Sequence, residues 1–140
     1  MKKQQAIALR SQMESVFEKA TPAMTADEII GNRTLCKSWE KGKHTAGEVY
    51  STGEQIWECI QGYDNAVYPD IVPGNAAWGT FHKPYHGTTK ETALPYVAPT
   101  GAHDMYLAGE CMIWTDGTVQ RANQNTAYSP DEYAAAWDNA

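Results

Sequence analysis

Two short stretches of this sequence set a tyrosine among amides and acids, Tyr63-Asp64-Asn65 and Asn123-Gln124-Asn125-Thr126-Ala127-Tyr128. A tyrosine ring is a flat apolar body with a polar tip and few rotors to freeze. The C–H face of a pyranose is apolar, and its rim of hydroxyls needs hydrogen bonds. A ring beside Asn, Asp or Gln meets both demands, and an exposed aromatic rimmed by polar groups is a common form of binding site. The same residues have a second reading, in which Asn and Asp make turns and the rings pack over them. Both readings stay open at the level of the sequence.

Other chemistries find less support. A glycosidase needs two carboxylates of separated pKa across a cleft. Glu48, Glu54, Glu110, Asp116, Asp131 and Glu132 fall instead at expected turns and caps of a small domain. The histidines His44, His82, His86 and His103 have no tight ligand spacing, and Cys36, Cys59 and Cys111 follow no metal pattern. No Gly-rich phosphate loop occurs. No catalytic, cofactor or metal residue is therefore expected. The formal net charge of −6 disfavours a nucleic-acid backbone or an anionic membrane as partner. An odd cysteine count suits small buried thiols better than a disulfide framework. The basic start Met1-Lys2-Lys3 leads into no apolar core, so a secretory leader is not expected, and no apolar run reaches membrane-spanning length.

Several elements must hold the tyrosine clusters. Ala6, Leu9, Met13, Val16 and Ala20 recur at spacings of 3, 4, 3 and 4, predicting a helix over residues 4–20 with an a/d seam. Such a stripe either packs on its own domain or joins copies of the chain; little domain remains to cover it, so self-association is expected. Thr25-Ala26-Asp27-Glu28 has the form of a capping box for a second short helix ending at Gly31-Asn32. From Trp39 onward, short β-branched and aromatic runs alternate with Gly, Pro, Asn and Asp, predicting short antiparallel strands. Asp116-Gly117 and Ser51-Thr52-Gly53-Glu54 mark two hairpin turns. Residues 81–104, rich in Pro and Gly, read as an ordered connector. Ser129-Pro130-Asp131-Glu132 predicts a last short helix carrying Tyr133 and Trp137.

Ala46-Gly47-Glu48 and Ala108-Gly109-Glu110 lie 62 residues apart and open two similar stretches. Each runs through an apolar pair, a Gly turn, a strand and a Gln (Gln61, Gln124) into a Tyr/Pro/Asp/Asn loop, and closes on Ala-Ala-Trp. The repeat predicts one fold used twice, with Trp78 and Trp137 equivalent and buried.

This order of residues resembles the chitin-binding carbohydrate-binding modules of families 5 and 12, over about Trp39 to Asp138. The paired copies in structural proteins of phages and prophages of Gram-positive bacteria are the more similar form. There, a stretch like Pro84-Tyr85-His86-Gly87-Thr88-Thr89 joins the units, and Ser129-Pro130-Asp131-Glu132-Tyr133 closes the chain. The resemblance implies that Trp39, Trp78 and Trp137 are core aromatics. It also implies that the loop after the central strand faces sugar, adding Tyr68 to Tyr63, Asp64 and Asn65, and Tyr133 to Asn125 and Tyr128. The expected organisation is a helical attachment segment (1–34), a first unit (35–80), the connector (81–104) and a second unit (105–140). The expected fold is mainly β with a helical N-terminus and two small antiparallel units of the family 5 and 12 type. The expected function is a non-catalytic virion protein, exposed on a tail, baseplate or capsid surface after assembly in the host cytoplasm. Its expected partners are glycans, other virion proteins and further copies through residues 4–20, with no nucleic acid and no membrane insertion. The alternative is a structural adaptor that reuses the fold for protein–protein assembly.

Overall fold

The computed structural model describes residues 2–140. Its first nineteen residues form helix α1 (Lys2–Ala20), which a Thr21–Ala23 turn carrying Pro22 brings to an end. Helix α2 (Ala26–Gly31) starts on a true capping box: Thr25 accepts the Glu28 N–H, and the Glu28 carboxylate accepts the Thr25 N–H at 3.0 Å. After residue 36 the chain makes only short strands, turns and short 3-10 segments, so it is mainly β with a helical N-terminus.

The strands are β1 (Lys43–His44), β2 (Val49–Thr52), β3 (Gln55–Cys59), β4 (Tyr63–Asp64), β5 (His82–Pro84), β6 (Leu94–Pro95), β7 (Cys111–Ile113), β8 (Val119–Ala122) and β9 (Trp137–Asn139). They make a β1-β4 pair, a β2-β3-β5 sheet and a β6-β7-β8-β9 sheet. All neighbours are antiparallel except β6 and β7, which run parallel. Both expected hairpins form, and Gly53 (φ +60°) and Gly117 (φ +86°) take the left-handed conformation their turns need.

The hydrogen bonds of the two halves coincide. Gly47 N–H donates to Cys59 O and Gly109 N–H to Ala122 O, each at 2.8 Å. Ile60 donates to Phe81 O at 2.9 Å, and Asn123 donates to Ala136 O at 2.8 Å. Ahead of each hairpin lies a leading segment: Trp39 donates to Ser51 O and Tyr96 to Ile113 O. These bonds equate Cys59 with Ala122, Tyr63 with Thr126, and Trp39 with Tyr96.

They also correct two expectations. Cys59 faces His82 across β3 and β5, while Ala122 faces Trp137 across β8 and β9. The counterpart of Trp137 is therefore His82, not Trp78. Trp137 is 7 % exposed and its indole N–H donates to Tyr128 O at 3.0 Å. Trp78 is 37 % exposed, on a kinked 3-10 segment (Ala76–Phe81) before β5. The loop of the first unit is longer, so the identical tripeptides fall out of structural register. Residues 81–104 are likewise more than a connector, because they contribute β5 to one sheet and β6 to the other. After Ser129 the chain makes a single turn and a 3-10 segment (Ala134–Ala136) rather than a helix through Trp137. Tyr133 leaves the helical region (φ −151°, ψ 83°), which releases Trp137 to pair with β8.

Three apolar clusters result. One joins Phe17, Ile29 and Ile30 of the helical segment to Val49, Ile56 and Leu94. The second surrounds Tyr50, Trp57 and Tyr63; the third surrounds Tyr106, Met112 and Trp137. The helical segment thus packs on β2, β3 and β6 through Phe17, Ile29 and Ile30, Glu18 pairs with Lys37 at 3.0 Å, and the first turns of α1 stand exposed.

Because Trp137 fills the second core, Trp137→Ala is expected to cost about 3–5 kcal/mol, and Trp78→Ala roughly 1 kcal/mol or less. Urea denaturation of the two variants checks this, and equal costs would contradict the assigned equivalence.

Candidate functional site

Strand β4 with the loop after it, and the counterpart stretch from Asn125 to Tyr133, hold all of the sequence-derived contact residues. In the first unit Tyr63 points inward. Its hydroxyl accepts the Trp39 indole N–H at 2.8 Å and lies 2.9 Å from the Tyr50 hydroxyl and 3.0 Å from His82 Nε2. Burial pushes the Tyr63 hydroxyl above its ordinary pKa. Only 7 % exposed, this ring has no face to offer a sugar, which corrects its expected role. Trp39, half-buried, belongs with it as a core aromatic.

Asn65 is also buried, and its amide donates to Pro69 O (3.1 Å) and Ile71 O (3.2 Å). Asp64 accepts the Ala66 N–H at 3.0 Å, and its carbonyl accepts the Tyr68 N–H at 2.9 Å. Both side chains are turn-makers here, an Asx turn followed by an amide clamp. Their product is an outward-facing Tyr68, 61 % exposed, with Val67 beside it in the chain and likewise exposed.

The second unit reaches a similar outcome by other bonds. Thr126, the counterpart of Tyr63, accepts the Tyr128 N–H at 3.0 Å, and buried Trp137 holds the Tyr128 carbonyl. Ser129 and Glu132 exchange capping bonds of 3.1 and 2.9 Å, and Tyr133 N–H donates to Ser129 O at 2.8 Å. Tyr128 and Tyr133 project from this braced turn, 58 % and 48 % exposed. Asn125 is exposed, and its side-chain oxygen accepts the Ala108 N–H at 3.0 Å.

Sequence reasoning missed one exposed ring, Trp78, on the same long loop as Tyr68. Its neighbours Gly74, Asn75 and Gly79 are loop formers, a signal that the residue sits outside the sheet. Arranged this way, the two loops present flat aromatic faces on backbones fixed by buried hydrogen bonds, which suits a ligand bound by stacking with little ordering cost. Among the described residues no three His, Cys, Asp or Glu side chains group closely enough to hold a metal ion, and no helix is long and apolar enough to cross a membrane.

Beneath the first loop lies a polar knot. His82 is buried, and burial, with His44 nearby adding to it, pulls its pKa down to about 4 from an ordinary 6.5. Comparison of the chain with protein-family models, with curated proteins and with solved structures finds no match in any of the three.

The His82 environment gives the loop a pH limit. Between about 6.5 and 4 the unfolded chain binds a proton that the folded chain refuses, so stability falls as pH drops through that window. The loss is expected to reach up to about 3 kcal/mol. Denaturation midpoints of wild type and His82→Phe across pH 7 to 4 test it. The variant should lose this part of the slope, and parallel curves would rule the linkage out.

Proposed function

We propose that this chain is a non-catalytic, carbohydrate-binding virion protein of a phage or prophage. It carries two modules of the family 5 and 12 type that recognise surface or mucosal glycans from a tail, baseplate or capsid surface. One observation carries the proposal. Two units with the same hydrogen-bond frame each hold exposed tyrosines on the loop that follows the same β position: Tyr68 in one, Tyr128 and Tyr133 in the other. A second reading, the structural adaptor, is favoured by the apolar outer face of α1, a protein-binding rather than sugar-binding surface. In both readings residues 4–20 serve attachment and self-association. With weak single sites, such presentation raises avidity without new contacts.

A glycan array and a polysaccharide pull-down on the full chain test the proposal. Wild type is expected to bind, and Tyr68→Ala and Tyr128→Ala to lose on the order of tenfold each, about 1.4 kcal/mol per ring. Tyr63→Ala is a fold control and should lower the unfolding midpoint. Absence of glycan binding by folded wild type would sink the carbohydrate reading and leave the adaptor.

A further inference from the structure

The buried histidine of the first unit has one ring nitrogen that the fold does not use. Strands β3 and β5 pair Trp57 with Pro84 and Cys59 with His82, so the indole and the imidazole share one face of that sheet. His82 is 2 % exposed. Its Nε2 lies 3.0 Å from the Tyr63 hydroxyl, while its Nδ1 has no hydrogen-bond partner among the described residues. Burial lowers the pKa of the ring, so it is neutral at neutral pH and carries a single N–H. An unmet polar atom at such depth is costly unless something fills the place.

A cavity of about 120 Å³ adjoins this face. Trp57 and His82 form its buried floor, Ala76 of the loop after β4 forms one wall, and Val97, Ala98 and Asp104 of the chain between β6 and β7 form the other. Ala76 and Ala98 are exposed, so the cavity opens at the surface between them. Tyr63 is not among its walls, so the nitrogen left for the cavity is Nδ1. The two walls are tied together: His103 Nε2 lies 2.9 Å from Gly79 O, and a side chain at Gly79 would collide with Thr100. Trp78, the exposed ring of the first loop, stands in the chain between Ala76 and Gly79.

The walls define what fits. Asp104 accepts Thr100 N–H at 2.9 Å, the Thr100 hydroxyl at 2.8 Å and Gly101 N–H at 2.9 Å. Its donors are thus already in place, and a second carboxylate or a phosphate would meet its charge. The rest of the lining is indole, valine and alanine, which asks for C–H groups. One hydroxyl on an aliphatic carbon meets the whole set, and because it both donates and accepts it answers either tautomer of the imidazole. The volume is about four times a water molecule's share of the liquid, room for an arm and not for a whole sugar with its ring hydroxyls.

We propose that this cavity receives the hydroxymethyl arm of a hexose, with the hydroxyl bonded to His82 Nδ1 and the methylene against the Trp57 indole. The inference rests on the carbohydrate reading of the first unit and names the residue that unit selects: a hexopyranose with a free hydroxymethyl group, in preference to a pentopyranose, which lacks the arm.

NMR titration of the full chain tests it, reading the His82 ring nitrogens and the Trp57 indole. The probes are methyl glucopyranoside against methyl xylopyranoside, and methyl galactopyranoside against methyl arabinopyranoside, two pairs that differ by the arm alone. At millimolar concentration a hexoside should move both sets of signals, and its pentose counterpart should bind about tenfold more weakly. Ala98→Leu fills the mouth from an exposed position and should abolish the hexoside response while the unfolding midpoint holds. Equal responses within both pairs, or a hexoside response that survives in Ala98→Leu, overturn the arm pocket. Shifts confined to the loops of Tyr68 and Tyr128 overturn it while the carbohydrate reading stands. So does silence from every probe in a chain that binds polysaccharide in the pull-down, and silence in a chain that binds none overturns both.

Discussion

A carboxylate folded back on its own turn is the feature on which both β-units depend. Glu110 accepts the N–H of Leu107, three residues earlier, at 2.8 Å, and Glu48 makes the same closure on Thr45. The preceding glycines, Gly47 and Gly109, sit at φ +94° and +93°, where a side chain would be strained. Together they turn the chain and hand the glycine N–H to the far strand, fixing the register of the hairpin that follows. Each glutamate is also tied to a cation-capable partner: Glu48 to Lys37 at 2.7 Å, Glu110 to His86 at 3.0 Å. Burial alone would raise the pKa of Glu48, but hydrogen bonds from Lys37 and Thr45 outweigh it and hold the carboxyl below its usual range. Thus the turn of the first unit is locked by a Glu48 charge that stays ionised at neutral pH.

On this shared frame the two cores are filled differently. In the second unit Trp137 occupies the inner position and packs edge-on against Tyr106, with ring centroids 5.3 Å apart. In the first unit that position holds His82, and the space is shared with Tyr63, Tyr50 and Trp57. The smaller imidazole goes with a polar knot of hydroxyls and with a loop, residues 64–81, longer than its counterpart 127–136. The outer surface nevertheless converges, because each loop is braced from beneath and turns tyrosine outward. The shared frame, rather than identical side chains, makes the two units comparable as presenting surfaces.

Local signals were legible in the sequence, and long-range ones were not. The helix over residues 4–20, the Thr25 capping box, the hairpin glycines and the Gly-Glu repeat are each decided within a few residues, and each forms. Tyr63 looked like a surface ring because Asp64 and Asn65 follow it. What buries it are Trp39, Tyr50 and His82, 13 to 24 residues away. Asn65 looked like a ligand group, yet its amide is consumed by carbonyls of its own loop. Three identical letters match Trp78 to Trp137, while the hydrogen-bond register equates His82 with it. The parallel β6 strand lies hidden in a Pro-rich stretch whose paired residues are eighteen positions downstream.

The central claim is that one hydrogen-bond frame is built twice and supports both tyrosine loops. Amide hydrogen exchange of the full chain tests it most directly. Gly47, Cys59 and Ile60 should be protected as one set, and Gly109, Ala122 and Asn123 as a matching set, each slower than the loop amides around Tyr68 and Tyr128. Protection of one set with loop-like exchange of the other would contradict the account.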